Sequence, residues 1–254
     1  MSHPILITIG GFSVFVGFLT GATSIGGVLL VPLLVYVTGI DIRIAIAAAM
    51  FGYLFTGSIG AAIFARHGSI EWRAVLWLCL GAMPFAFVGA IASKIFPTNL
   101  LEVAIAGLIL FAGWQSIRQR EEIAGLAPQG TMLAGIGTGV GFVSAVTGTG
   151  GPVTLVPILL WLEVPVITTI GLSQAIMMPI AAAATFGNVL IGTWDFALGA
   201  AVAIGLSIGT FAGAKFAHVI SMQRLKQFLA GTLVIVGVLI IARLGLRAAG
   251  IETF

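Results

Sequence analysis

Charge is what this sequence has least of. Of 254 residues only 11 are Lys or Arg and 8 are Asp or Glu. A water-facing surface of ordinary charge density cannot be built from so few, and a soluble fold is excluded. Cysteine is nearly absent too: Cys79 stands alone, so there is no disulfide framework or thiolate metal site, and its expected role is a small apolar residue inside a helix. His3, His67 and His218 sit in unrelated segments without a ligand partner at helical spacing, so no metal and no other cofactor is expected. Gly148-Thr149-Gly150-Gly151 is followed by no Gly-Lys-Ser/Thr and preceded by no strand, which excludes a nucleotide-hydrolysing phosphate loop. No Lys or Arg precedes the first apolar run, as a cleavable signal peptide would require, so the first segment is expected to stay in the mature protein. A nucleic-acid partner is not expected either: Arg66, Arg73, Arg118, Arg120, Arg224 and Lys226 lie between apolar runs, as loop anchors do.

What is present in abundance is hydrophobic length. Residues 4–40, 44–65, 74–93, 123–162, 164–194 and 196–214 carry no Asp, Glu, Lys or Arg. Each is close to or beyond the roughly 20 residues that cross about 30 Å of hydrocarbon. The two longest runs would make straight helices about twice that thickness, so each must fold back or break.

Sliding the sequence against itself by about 124 residues brings an ordered series of features into register. Gly17-Phe18-Leu19-Thr20 meets Gly141-Phe142-Val143-Ser144, and Thr23 to Gly27 meets Thr147 to Gly151. Gly68-Ser69-Ile70-Glu71-Trp72 meets Gly192-Thr193-Trp194-Asp195-Phe196, Gly81 meets Gly205, Gly89 meets Gly213 and Leu101 meets Leu225. The expected fold is an all-α polytopic membrane protein with 8 to 10 transmembrane or re-entrant helices in two homologous, inverted repeats. Residues 1–120 form the first repeat, 121–130 the polar linker and 131–254 the second.

Each copy divides into five apolar segments: 4–22, 24–40, 42–65, 72–95 and 98–117, then 131–147, 149–163, 166–191, 195–219 and 223–245. The second of each set is short for a span. If all ten cross, the copies are inverted; if the short ones are re-entrant, eight cross and the copies are parallel. With ten crossings seven Lys/Arg share one side and four (Arg43, Lys94, Arg243, Arg247) the other. Eight crossings split them six to five, so the positive-inside rule leans to ten, with both termini periplasmic.

The chemistry concentrates where the first two segments of each copy join, at Thr20 to Gly27 and Ser144 to Gly151. Glycine there permits positive φ and lets a helix break. A broken helix frees N–H groups at the start of the next half-helix, and these attract anions. The candidate site is therefore Thr23, Ser24, Gly26, Gly27, Thr147, Gly148, Thr149, Gly150 and Gly151, the Thr and Ser hydroxyls adding donors, with Gln174 as a supporting polar contact. Asn188 is a weaker candidate, since such groups also bridge helices as structural glue. Gly205, Gly209 and Gly213, spaced by four, are read as a packing stripe, and Pro84 and Pro179 as kinks. Lys215 is read as snorkelling from a helix end, and Glu71 and Asp195 as first-turn carboxylates that offset a helix dipole.

The two junctions, Gly21-Ala22-Thr23-Ser24-Ile25-Gly26-Gly27 with the later Pro32, and Thr147-Gly148-Thr149-Gly150-Gly151-Pro152 with Pro157, resemble the paired signature of the TauE/SafE family of sulfite and organosulfonate exporters. The turns Gly68 to Trp72 and Gly192 to Phe196 are similar to that family's as well, and the resemblance covers essentially the whole chain. It implies a bacterial inner-membrane permease of about eight spans for small sulfur-containing anions such as sulfite or sulfonates. Ser24 stands where the family commonly has glycine, which alters that half of the site.

The function expected is a secondary transporter, not an enzyme, whose partners are a small anionic substrate, membrane lipid and a coupling ion, proton or sodium. An anion channel on the same symmetric site is the competing reading within transport. An intramembrane enzyme would gather ionisable groups at one depth, whereas Asp41, Glu71, Glu102, Glu163 and Asp195 are spread over segment ends; a scaffold has no reason to duplicate two helix breaks.

Overall fold

The structure is a computed structural model, which describes residues 3–117, 130–216 and 238. The segment 223–245 apart from Val238, most of the linker, and Leu225, His218, Arg118, Arg120, Arg224, Lys226, Arg243 and Arg247 lie outside the described residues. Among those described there are nine α-helices and one 3₁₀ turn: α1 (His3–Thr23), the 3₁₀ turn (Gly26–Leu29), α2 (Leu30–Thr38), α3 (Ile42–Arg66), α4 (Trp72–Ala92), α5 (Thr98–Ile117), α6 (Gly130–Thr147), α7 (Pro152–Trp161), α8 (Val166–Leu190) and α9 (Phe196–Phe216). Five of them, α3, α4, α6, α8 and α9, are long and apolar enough to cross a membrane by themselves. The protein is an all-helical, polytopic membrane protein.

Local sequence explains the ends. The α3 helix opens at Asp41, whose side chain accepts from the Arg43 N–H at 2.8 Å, a capping carboxylate at the positive end of the dipole. It closes on Gly68 at φ +69°, with the Ser69 N–H returning to the Phe64 carbonyl at 3.2 Å. The α8 helix closes the same way on Gly192 at φ +74°, the Thr193 N–H reaching the Asn188 carbonyl at 3.2 Å. Both are left-handed glycine caps that satisfy the last carbonyls. Helices α3 and α8 each run 25 residues and begin 124 residues apart; α4 and α9 each run 21 and begin 124 apart.

The second segments are half-helices. Nine residues in α2 and ten in α7 rise only about 15 Å, half the hydrocarbon thickness.

Glycine sets the tightest packing. Helices α1 and α9 run parallel, with Gly17 against Leu206 and Gly21 against Thr210; a Cβ added at Gly209 would lie 2.0 Å from the Val14 carbonyl oxygen, and one at Gly213 2.0 Å from that of Phe18. Helices α4 and α6 pack in the same way, Gly81 against Ala134 and Gly141 against Ala82. Backbones this close exclude any side chain, so the Gly205, Gly209, Gly213 stripe is a packing surface. Between these pairs α3 and α8 cross antiparallel, Gly57 against Met178 and Gly60 against Gln174. Arg43 ties the start of α3 to the turn that follows α4, donating to the Phe96 carbonyl at 2.9 Å. Pro84 and Pro179 lie inside α4 and α8.

Candidate functional site

Both junctions are buried over their whole length, from Leu19 to Pro32 and from Ser144 to Val153. In the first, α1 ends at Thr23 and the backbone turns left-handed at Ser24, φ +64°. The matching residue of the second is Gly148, φ +71°. The break is therefore made at Ser24, not by Gly26 or Gly27 as the glycine pattern suggested. A left-handed non-glycine residue costs roughly 1–2 kcal/mol, which is the physical reason glycine suits this position. Gly26 and Gly27 are glycine for space: a Cβ at Gly26 would lie 2.4 Å from the Leu19 Cβ, and one at Gly27 2.9 Å from the Tyr53 hydroxyl. The second junction is more contorted, with Gly150 at φ +77° and Gly151 at φ +115°.

The hydroxyls are not equivalent. Thr23 Oγ1 donates to the Leu19 carbonyl at 2.7 Å and Thr147 Oγ1 to that of Val143 at 2.7 Å, so both protons are engaged one turn back. Thr149 Oγ1 lies 3.2 Å from Thr147 Oγ1, and with the Thr147 proton engaged, Thr149 is the donor. Ser24 Oγ, 1% exposed, has no hydrogen-bond partner, nor has Ser144 Oγ on the other side. A buried hydroxyl left unsatisfied costs about 1–3 kcal/mol.

Backbone donors gather beside them. The N–H groups of Gly26 and Gly27 precede the first bond of the 3₁₀ turn, from the Val28 N–H to the Ile25 carbonyl at 3.3 Å. Those of Gly150, Gly151 and Val153 precede the first bonds of α7, from Thr154 and Leu155 to the Gly151 carbonyl at 3.2 and 3.0 Å. Such groups carry the positive end of each half-helix.

Gln174 meets the first junction: its Nε2 donates to the Thr20 carbonyl at 2.9 Å, which also accepts from the Ser24 N–H at 2.8 Å. Its Oε1 is buried without a partner. Asn188 is buried, its Nδ2 unpartnered; it lies near the end of α8, away from Gln174 by almost four turns.

Tyr53 is the site residue that sequence reasoning passed over. It is fully buried in α3, its hydroxyl donates to the Gly27 carbonyl at 2.5 Å, and its ring lies 2.8 Å from where a Gly150 Cβ would be. One aromatic ring thus stands between the two junctions. The available signal was a tyrosine in the middle of an uncharged run, since a buried phenol at membrane depth needs a partner and tyrosine normally sits at the interface.

The flanking charges behave as anchors. Asp195 Oδ1 accepts from the Leu198 N–H at 3.0 Å, capping α9, whereas Glu71 occupies the N-cap of α4 without a side-chain hydrogen bond. Lys215 is exposed, with its Nζ 4.1 Å above the Phe211 ring, as a snorkelling cation would lie.

Comparison with known proteins agrees in kind. "Probable membrane transporter protein YdhB" of Bacillus subtilis (strain 168) is 24% identical over 237 residues, covering 89% of this chain and 96% of the relative. "Probable membrane transporter protein YjnA" of the same organism is 24% identical over 244 residues, with the same coverage. A third, "Probable membrane transporter protein YunE", is 27% identical over 110 residues, 41% of this chain and 40% of the relative. No solved structure matches. The profile described as "Sulfite exporter TauE/SafE" matches residues 9–240, and the chain, a multi-pass membrane transporter, belongs to the TauE/SafE family.

Proposed function

We propose that this chain is a secondary carrier of small sulfur-containing oxyanions, sulfite or organosulfonates, in a bacterial inner membrane, and that it holds the anion between two inverted copies of one unit. Thr23, Ser24, Gly26, Gly27, Thr147, Gly148, Thr149, Gly150 and Gly151 form the cradle, and Gln174 braces it. The observation that carries the reading is the facing of two buried junctions across Tyr53, each with a left-handed residue at the matching position and each opening a half-helix. Paired half-helix N-termini suit an oxyanion without a buried Lys or Arg, and the orphaned Ser24 hydroxyl supplies a donor aimed at none of its neighbours. Helix directions support the inversion: α1 runs parallel to α9, α6 parallel to α4, and α3 antiparallel to α8.

Burial of both junctions means that access requires movement of one half against the other, as in alternating access. The test is uptake into proteoliposomes of labelled sulfite, sulfonates and carboxylates. Saturable uptake with counterflow of sulfite or a sulfonate is expected. Non-saturable flux without counterflow would make the protein a channel, and transport of carboxylates alone would overturn the substrate class.

A further inference from the structure

The second junction pairs polar backbone with apolar walls. Its N–H groups are those that precede the first bonds of α7, and the walls are read from what a Cβ on each glycine would meet. At Gly148 that is Val31 Cγ2 at 2.7 Å and Ile46 Cγ1 at 3.1 Å; at Gly151 it is Ile180 Cδ1 at 3.1 Å and Ile176 Cδ1 at 3.7 Å. At Gly150 it is the Tyr53 ring, with Cδ2 at 2.8 Å and Cε2 and Cγ at 3.2 Å. All of these atoms are carbon. A site with apolar walls and a few placed polar groups is the general form of a small-ligand pocket.

Tyr53 reaches both junctions. One edge of its ring lies on Gly150 and its hydroxyl donates to the Gly27 carbonyl at 2.5 Å, so a single phenol bridges the gap between the two copies. The second copy builds no such bridge. Its matching residue is Met177, which lies against Gly57, while the atoms nearest a Cβ at Gly26 belong to Leu19 and Thr20. The ring is also hard to displace: it is fully buried, and turning it aside would leave its own hydroxyl without an acceptor. An occupant of the gap therefore has the Tyr53 ring as a wall.

We propose that Tyr53 is the residue that sets the size of the substrate: the sulfonate oxygens take the backbone N–H groups and the Ser24 hydroxyl, the carbon group lies against the ring, and only a short carbon group fits. The proposal rests on the anion-carrier reading above and narrows the class of sulfonate that the site admits. Sulfite, with no carbon group, lies within the limit. In a closely walled apolar site a single methylene is worth roughly 10- to 200-fold in discrimination, and added methylenes count against the ligand where no space is left for them.

Methanesulfonate and butanesulfonate carry the same charge and differ only in the carbon group, so calorimetric titration of both into the purified full chain isolates its effect. The wild type is expected to bind methanesulfonate at least about tenfold more tightly than butanesulfonate. Tyr53→Phe keeps the ring and drops the hydroxyl, and should keep that ratio. Tyr53→Leu shortens the wall and Tyr53→Ala removes it, so the ratio should fall toward one in the first and further in the second. If the alanine protein does not fold, the leucine protein carries the comparison. A role confined to folding would move both ligands alike. Equal binding of the two sulfonates by the wild type would overturn the proposal. So would an unchanged ratio in Tyr53→Leu and Tyr53→Ala, or a Tyr53→Phe protein that loses the ratio as fully as Tyr53→Leu does. If the wild type binds sulfite and neither sulfonate, the limit falls below one carbon, and failure of both smaller variants to gain methanesulfonate would then overturn it. Binding of none of these anions, sulfite included, would overturn the carrier reading itself.

Discussion

Gly150→Ala puts a methyl group 2.8 Å from Cδ2 of the Tyr53 ring and 3.2 Å from Cε2 and Cγ. The methyl meets the ring broadside, and the ring cannot retreat freely because its hydroxyl is held on the Gly27 carbonyl. Two costs add. Alanine at φ +77° costs roughly 1–2 kcal/mol, and an inserted methyl in a close-packed site costs roughly 1–3 kcal/mol more, for a total of about 2–5 kcal/mol. Gly148→Ala is the internal control. It shares the left-handed term, φ +71°, but its added methyl meets Val31 Cγ2 at 2.7 Å and Cγ1 and Cα of Ile46 at 3.1 and 3.2 Å, and not Tyr53. Both alanines are expected to lower the apparent melting temperature in detergent. Tyr53→Leu should recover part of the Gly150→Ala loss and little of the Gly148→Ala loss. No relief of the Gly150→Ala loss by Tyr53→Leu, or equal relief of both losses, would refute the placement of Tyr53 between the junctions.

Three further outcomes are expected. Asp195→Ala should lower stability by about 0.5–2 kcal/mol through loss of the α9 cap, while Glu71→Ala, which removes no cap hydrogen bond, should cost less; chemical denaturation in detergent compares the two. Gln174→Met, which copies the residue at the matching position of the first copy, Met50, removes one buried hydrogen bond and should destabilise by about 0.5–1.5 kcal/mol; a thermal midpoint at or above that of wild type would argue against the bond to Thr20. Phosphatase and fluorescent-protein fusions at Phe254 should report a periplasmic C-terminus if the charge count sets the orientation.

How much of this was legible depended on the range of the cause. The all-helical membrane class follows from uncharged runs alone, and the ends of α3 and α8 are written locally in Gly68 and Gly192, whose positive φ is the cap. The breaks at residues 23–27 and 147–151 also show in sequence, because left-handed backbone calls for small residues. Which residue turns was not legible: Ser24 does it without glycine's freedom, while Gly26 and Gly27 answer to Leu19 and Tyr53. Tyr53 itself acts on residues 26 and 97 positions away, and no local pattern announces such contacts. The hydroxyls show the same limit. Thr23 and Ser24 look alike as donors, yet only the structure shows that Thr23 is bonded to Leu19 and Ser24 is not. Glu102 reads in sequence as one more carboxylate near a segment end, and its burial beside Val31 is set by packing.

The claim that the anion is held by half-helix N–H groups and the Ser24 hydroxyl is tested most directly by equilibrium binding of labelled sulfite to purified Ser24→Gly and Lys215→Gln. Ser24→Gly keeps the left-handed turn, and relieves its strain, but removes the hydroxyl. A hydrogen bond to a charged group contributes about 1.5–3 kcal/mol, so affinity should fall roughly 10- to 150-fold while the protein melts no lower than wild type. Lys215→Gln, exposed over Phe211, should bind as wild type does. Unchanged affinity in Ser24→Gly together with lost binding in Lys215→Gln would contradict the account.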